Sequence, residues 1–175
     1  MSVFNIDRFR TELLEGGARP NQFAVTLTFP SYVQASVAAG NSSEFLITAA
    51  ELPGSTMGTM SLFYRGRELK MAGDMVFAPF AFTVLNDADF TIRTALEEWM
   101  NGIENRLNKS GTDIARDYQA DVLIRQLDRN GNTLKTYTLR SAFPTEIGPV
   151  SLDFGANDQI STFQSVLQYQ TFSVV

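Results

Sequence analysis

The chain has 175 residues, 44% of them hydrophobic and 14 of them Phe, with a formal net charge of −5; a chain of this size buries roughly 70% of its unfolded surface, enough for one sizeable core. Cys and His are both absent, which removes disulfides, a thiolate nucleophile, and the commonest general base and metal ligand. Only three of the fourteen cations are Lys and the Arg residues are scattered, so the chain is not built to grip nucleic acid, where phosphate binding rests on clustered cations.

The first ten residues lack the apolar stretch of a signal peptide, and no apolar run approaches the ~18 residues needed to cross a bilayer. A soluble protein made in a cytosol, without membrane insertion, is expected. The sequons at Asn41 and Asn108 then carry no sugar.

In chain order, residues 5–15 place Ile6, Phe9 and Leu13 at helical spacing, and Gly16-Gly17 closes that short amphipathic helix. Residues 22–29 alternate strictly, with Phe23, Val25, Leu27 and Phe29 on one parity, which predicts a half-buried strand. The small, polar stretch 31–43 reads as a surface loop, and 44–52 as a strand stopped by Pro53-Gly54. Residues 54–73 hold Gly54, Gly58, Gly66 and Gly73 around Arg65-Gly66-Arg67, and read as two strands about a turn that projects from the body. A strand over 77–85 turns Phe80, Phe82 and Val84 to the core. Asp89 is the expected N-cap of the one long helix, 90–107, where Ile92, Leu96, Trp99, Met100, Ile103 and Leu107 form an apolar stripe. Residues 109–112 read as a polar loop.

The runs 118–127 and 134–140 flank Asp128-Arg129-Asn130-Gly131, a hairpin signal, and a last strand starts near Ile160. About eight strands, one long helix and a short N-terminal helix predict a mainly β chain: an antiparallel sandwich or barrel with a packed helix.

Catalytic and metal chemistry finds little to stand on. Asp128 and Asn130 resemble the start of an EF-hand loop, but its sixth-position Gly falls at the fourth and Leu139 stands at the twelfth. Asp153 and Asp158 sit among turn residues, with nothing to bury them and shift a pKa. No Ser-x-x-Lys, GxGxxG or Walker pattern occurs. Arg65 and Arg67 fit an exposed tip or a protein contact better than a phosphate site. A structural or interaction protein is expected, with no enzyme activity and no cofactor.

Five blocks carry a resemblance: ARPNQFAVTLTF (18–29), AELPG (50–54), RELKMAGD (67–74), FTVLND (82–87) and FPTEIGPVSLDFGANDQISTFQSVLQY (143–169). In this order they resemble the tail tube proteins of contractile-tailed, T-even-like bacteriophages, relatives of type VI secretion and tailocin tubes. Stretch 31–43 is longer than the family pattern. The resemblance implies one tail-tube domain over 1–175, two packed sheets closing on a helix, and hexameric rings stacked into a hollow tube. It implies a virion protein assembled in the host cytoplasm. The partners would be the sheath protein, the baseplate or tube initiator, the tape measure protein and the tail terminator, with double-stranded DNA passing through unbound. The 54–73 hairpin, through Gly58, Arg65, Gly66 and Arg67, would be an inter-subunit element.

In that setting a polar, cation-free strand face suits a DNA channel, since each basic contact to a phosphate releases about 0.9 counterion and would hold the genome back. If Phe163, Leu167 and Tyr169 face the core, then Gln164, Gln168 and Gln170 face away. If Tyr118, Ala120, Val122 and Ile124 do likewise, so do Asp117, Gln119 and Asp121. These six are the candidate lumen residues. The alternatives are a baseplate tube initiator, a type VI or tailocin tube subunit, and a monomeric small-ligand-binding β-barrel.

Overall fold

The computed structural model describes residues 6–12, 17–105, 111 and 114–175. The expectations placed on Asn5, Leu13, Gly16, Leu107, the Asn108 sequon and most of loop 109–112 lie outside these residues. The expected N-terminal helix is α1 (Ile6–Glu12), and its Ile6 and Phe9 are exposed rather than packed on the body.

Alternation makes β1 (Phe23–Leu27), with Val25 and Leu27 in the core and Phe29 buried just beyond. The stretch expected to be a loop is instead α2 (Ser36–Leu46). Its small and polar residues carry little apolar periodicity, and docking on β1 holds it. Ala39 is fully buried. Gly40 lets the backbones close up, since a Cβ there would lie 3.1 Å from Leu27 O. Leu27 N donates to Ser43 Oγ (3.1 Å), which donates to Gly40 O (2.7 Å). Glu44 accepts from Thr26 Oγ1 (2.7 Å) and from Arg125. Residues 44–46 therefore belong to the helix, and the strand expected over 44–52 shrinks to β2 (Ile47–Ala50).

Next come β3 (Ser55–Tyr64) and β4 (Arg67–Phe77), then β5 (Phe80–Leu85). The long helix is α3 (Thr91–Ile103), shorter than the 90–107 expected, with Glu104 already extended at φ −140°. The cap position expected at Asp89 falls on Phe90, which makes no side-chain cap bond, and the carboxylate that serves the helix start is Asp87: its Oδ1 accepts from Thr91 N (2.8 Å) and Oδ2 from Thr91 Oγ1 (2.5 Å). The chain turns through Phe90 at φ 52°, and it is Asp87 rather than Asp89 that meets the first helical residue. The hydroxyl of Thr91 holds the Asp87 carboxyl below its usual value.

The remaining elements are α4 (Ala115–Tyr118), β6 (Ala120–Leu127), β7 (Thr133–Ile147), β8 (Thr162–Gln168) and β9 (Thr171–Val174). The β6–β7 hairpin forms as expected, but its loop is wider than a two-residue turn. Asp128 Oδ1 accepts from Asn130 N (2.7 Å) and Asn132 N (2.8 Å), and Gly131 takes φ 83°. The single final strand expected is two, β8 and β9.

All pairings are antiparallel. Seven strands run in the order β1-β6-β7-β8-β5-β2, with β9 joined to β7, while β3 and β4 pair only with each other. The two end strands, β1 and β2, touch, and α2 packs on both, so the sheet curls back on itself. Its interior is filled by Val25, Leu27, Phe80, Phe82, Ile124 and Leu139, into which α3 inserts Ile92, Ala95, Leu96 and Trp99. Trp99 is fully buried. Its ring meets Phe29 edge-on at 5.5 Å, its Nε1 donates to Tyr118 O (2.6 Å), and its carbonyl accepts from Tyr32 Oη (2.9 Å).

Candidate assembly surfaces

The β3–β4 hairpin is a ribbon that its own chain leaves uncovered. Every residue of β3 is exposed, and in β4 only Gly73 and Phe77 are partly covered. Arg65 and Gly66 form the tip with φ 47° and 80°, the paired left-handed turn whose twist suits a two-residue hairpin. Gly58 and Gly73 meet where the register shifts: a Cβ on Gly73 would lie 3.1 Å from Gly58 C. Met60 pairs with Met71, Leu62 with Leu69 and Tyr64 with Arg67, which puts Met60, Leu62, Tyr64, Leu69 and Met71 on one face. These five are 46–71% exposed. The other face carries Ser61, whose hydroxyl donates to Glu68 (2.6 Å), Lys70 and the exposed Phe63. Full burial of such an apolar side chain is worth about 1.5–3 kcal/mol, and an isolated two-stranded ribbon is marginal in water. The composition is that of an interface awaiting its partner. The sequence reading placed Gly58, Arg65, Gly66 and Arg67 here, and all four lie in the ribbon.

The second candidate surface is the outer face of β8. Phe163, Ser165 and Leu167 are buried on the inner side, so Gln164 and Gln168 face outward. Gln164 lies opposite Thr83 and Gln168 opposite Phe143. Gln170 follows β8, exposed, its N donating to Arg140 O (3.1 Å). Asp121 is exposed on β6 and has a structural task the sequence did not reveal. Its Oδ1 accepts from Ser141 N (3.0 Å), pinning the bulge where Ser141 takes φ 56° and β7 passes from its β6 partner to its β8 partner. Asp117 and Gln119 do not share this strand face: Asp117 belongs to α4 and Gln119 is its C-cap. Tyr118, expected in a strand core, is the last residue of α4 and half-buried, with its ring edge-on to Phe143 at 5.9 Å. The face is also less uniformly polar than expected, because Val166 stands between the two Gln residues.

Among the described residues no group of three or more His, Cys, Asp or Glu could hold a metal. Asp153 accepts from Gly155 N (2.8 Å) within an exposed turn, and both Asp153 and Asp158 lie open to solvent. The cleft beside α3, about 490 Å³, is lined by Met100, Ile103, Phe143 and Pro144 and opens at the surface, outside the filled barrel. A filled barrel with an uncovered apolar ribbon defines an assembly subunit.

The comparisons with known proteins agree. A family model described as phage tail tube protein matches residues 18–175. The chain is 30% identical to the tail tube protein of Serratia phage KSP90 over 94% of its own length and 93% of the relative's. It is 26% identical to tail tube protein gp19 of Enterobacteria phage T4, covering 90% and 93% of the two chains. The chain belongs to the phage tail tube protein family, structural components of the virion tail. In fold it is similar to a chain of the PVC sheath–tube complex, an extracellular contractile injection system, with TM-score 0.66 and 18% identity over 94% of this chain and 96% of that one. It also resembles the Hcp1 protein of E. coli EAEC 042, with TM-score 0.50 and 13% identity over 88% and 90% of the two chains.

Proposed function

We propose that this chain, as one unit over 1–175, forms cyclic rings, hexameric by family resemblance, that stack into the inner tube of a contractile phage tail. The ribbon carries the reading. Its apolar face and its two unpaired edges lack partners within the subunit, and pairing with neighbouring copies would remove edges that otherwise invite aggregation. The role is structural rather than catalytic. Sheath, baseplate or tube initiator, tape measure protein and terminator would meet the outer surface, the ends and the lumen of such a tube. Double-stranded DNA would pass through it without specific binding. Asp121, Gln164, Gln168 and Gln170 would line that lumen, presenting amides and a carboxylate where cations would retain phosphate.

Purified protein at high micromolar concentration, viewed by negative stain and native mass spectrometry, should give six-fold rings and long tubes. Monomer alone would sink the reading. Growth that stops at one ring would instead favour a tube initiator.

A further inference from the structure

The two ends of the β5–β8 pair carry opposite chemistry. At one end Phe80 lies opposite Leu167, and there the ribbon leaves the sheet: Glu51 N donates to Ala81 O (3.3 Å) and Ala78 N to Gly54 O (3.0 Å) at its root. At the other end Leu85 lies opposite Thr162 and Asn86 N donates to Ser161 O (2.9 Å), closing the loop that joins β7 to β8. At about 3.3 Å per residue these ends are roughly 17 Å apart, and the ribbon, ten residues long in β3 and eleven in β4, carries its tip up to about 33 Å from its root at the first.

The ribbon tip is basic and apolar. Phe63 and Tyr64 are 77% and 71% exposed, and Arg65, Arg67 and Lys70 outnumber the lone carboxylate, Glu68. The β7–β8 loop is acidic and apolar. Phe154 is fully exposed, and Leu152 and Ile160 are 87% and 68% exposed; between 148 and 161 stand Asp153 and Asp158 and no cation. The exposed Asp89 and Phe90 lie at the same end of β5. Arg93, the nearest cation of α3, is already engaged by Glu97 (2.9 Å) and Gly148 O (3.1 Å).

Two complementary patches at opposite ends of one subunit satisfy each other between copies related head to tail. Such a contact is heterologous, and directed along the strands from one end of the subunit to the other rather than around a ring, it would run on as a filament. Resting on the tube reading above, we infer that the 63–67 turn of one subunit seats on the 148–161 loop of a second copy in the adjoining ring, Arg65 and Arg67 facing Asp153 and Asp158 with Tyr64 against Phe154. This contact is the axial joint between rings.

A charge swap tests it. Wild-type protein should grow tubes, and its failure to do so would overturn the tube reading itself. Arg65→Asp/Arg67→Asp and Asp153→Arg/Asp158→Arg should each lose tube growth and leave rings, with unchanged circular dichroism. The chain carrying all four changes should regain tubes. Loss without recovery, or tubes undisturbed by the loop changes, would overturn this pairing and leave the tube reading standing. A second measurement does not depend on the charge variants. Because the chain has no Cys, Tyr64→Cys/Phe154→Cys treated with a short bis-maleimide should give a ladder of covalent oligomers in preformed tubes. Monomer alone from such tubes would overturn the joint.

Discussion

The core around Trp99 and the β3–β4 ribbon are built from the same kinds of side chain and treat them in opposite ways. In the core, Phe80, Phe82, Leu96 and Trp99 are at most 1% exposed. In the ribbon, Phe63, Leu62, Met60 and Tyr64 lie open, Phe63 on one face and the other three on the opposite one. Apolar surface buried within the subunit stabilises the monomer, whereas apolar surface left out of it stabilises only what the monomer joins. The contrast predicts that substitutions sort cleanly by readout: core changes move melting, ribbon changes move assembly.

The largest effect on folding is expected at Trp99. Trp99→Ala empties the site beneath Phe29 and orphans Tyr118 O, and should cost about 3–5 kcal/mol in chemical denaturation. A loss below about 0.5 kcal/mol, less than even a mild core truncation, would mean that α3 is not integral to the core. The helix start is a smaller case. Asp87→Ala removes the cap and should cost about 1 kcal/mol. Because the Thr91 hydroxyl lowers the folded Asp87 pKa below its ordinary value of 3.8, its contribution is present at neutral pH and is lost as pH falls through that lowered value. Tyr32, whose hydroxyl is pushed up to about 12 by burial, contributes to the alkaline limb beside Tyr169, which burial also raises. The Tyr32 contribution is intact below its ordinary value of 10.0 and fades as pH rises from there toward 12. Wild-type and Tyr32→Phe melting curves should therefore diverge in pH dependence only above that lower value.

These core features were legible in the sequence to different degrees, for physical reasons. Period-two alternation exposed β1, β5 and β8 because one face of each is buried, and the apolar stripe exposed α3. Helix α2 was illegible because what holds it is docking: a close approach at Gly40 and bonds from Ser43 and Glu44 to residues distant in sequence. The carboxylate serving the helix start was misassigned by two residues because the left-handed turn at Phe90 has no marker in a non-Gly residue. On the assembly side, the Gly-punctuated ribbon with its Arg65-Gly66-Arg67 tip was legible as a projecting hairpin. The parity of Gln164 and Gln168 was legible too. Asp117 was misplaced because a run of alternating residues cannot show that its first turn, 115–118, is helical.

The ribbon should behave as the inverse of Trp99. Replacing residues 56–75 by a short turn should leave the melting temperature nearly unchanged, since the ribbon exchanges almost no buried area with the body. It should abolish rings or tubes in light scattering and negative stain. A variant that unfolds would show that the ribbon contributes to the core after all and would erase the contrast.

The smallest effect on folding, and the narrowest readout, belongs to the outer face of β8. Gln164 is exposed and Gln168 half-buried there, with their strand neighbours Phe163, Ser165 and Leu167 supplying the core. Changing both Gln residues to Arg keeps the inner side intact, so rings and tubes should still form. In the proposed tube each subunit then places two new cations against passing DNA, and the count multiplies around every ring and along the stack. Exposed charges act over a screening length of about 10 Å at 0.1 M salt and about 30 Å at 0.01 M. Genome release from particles built with this tube should therefore slow, and slow most at low salt. Neutral replacement by Asn at the same positions controls for shape and should leave release unchanged. Equal kinetics for Arg, Asn and wild-type tubes across salt would put this face on the outside of the tube. The polar, cation-free character of β8 would then be ordinary solvent-facing surface, and the lumen would have to be sought on another strand.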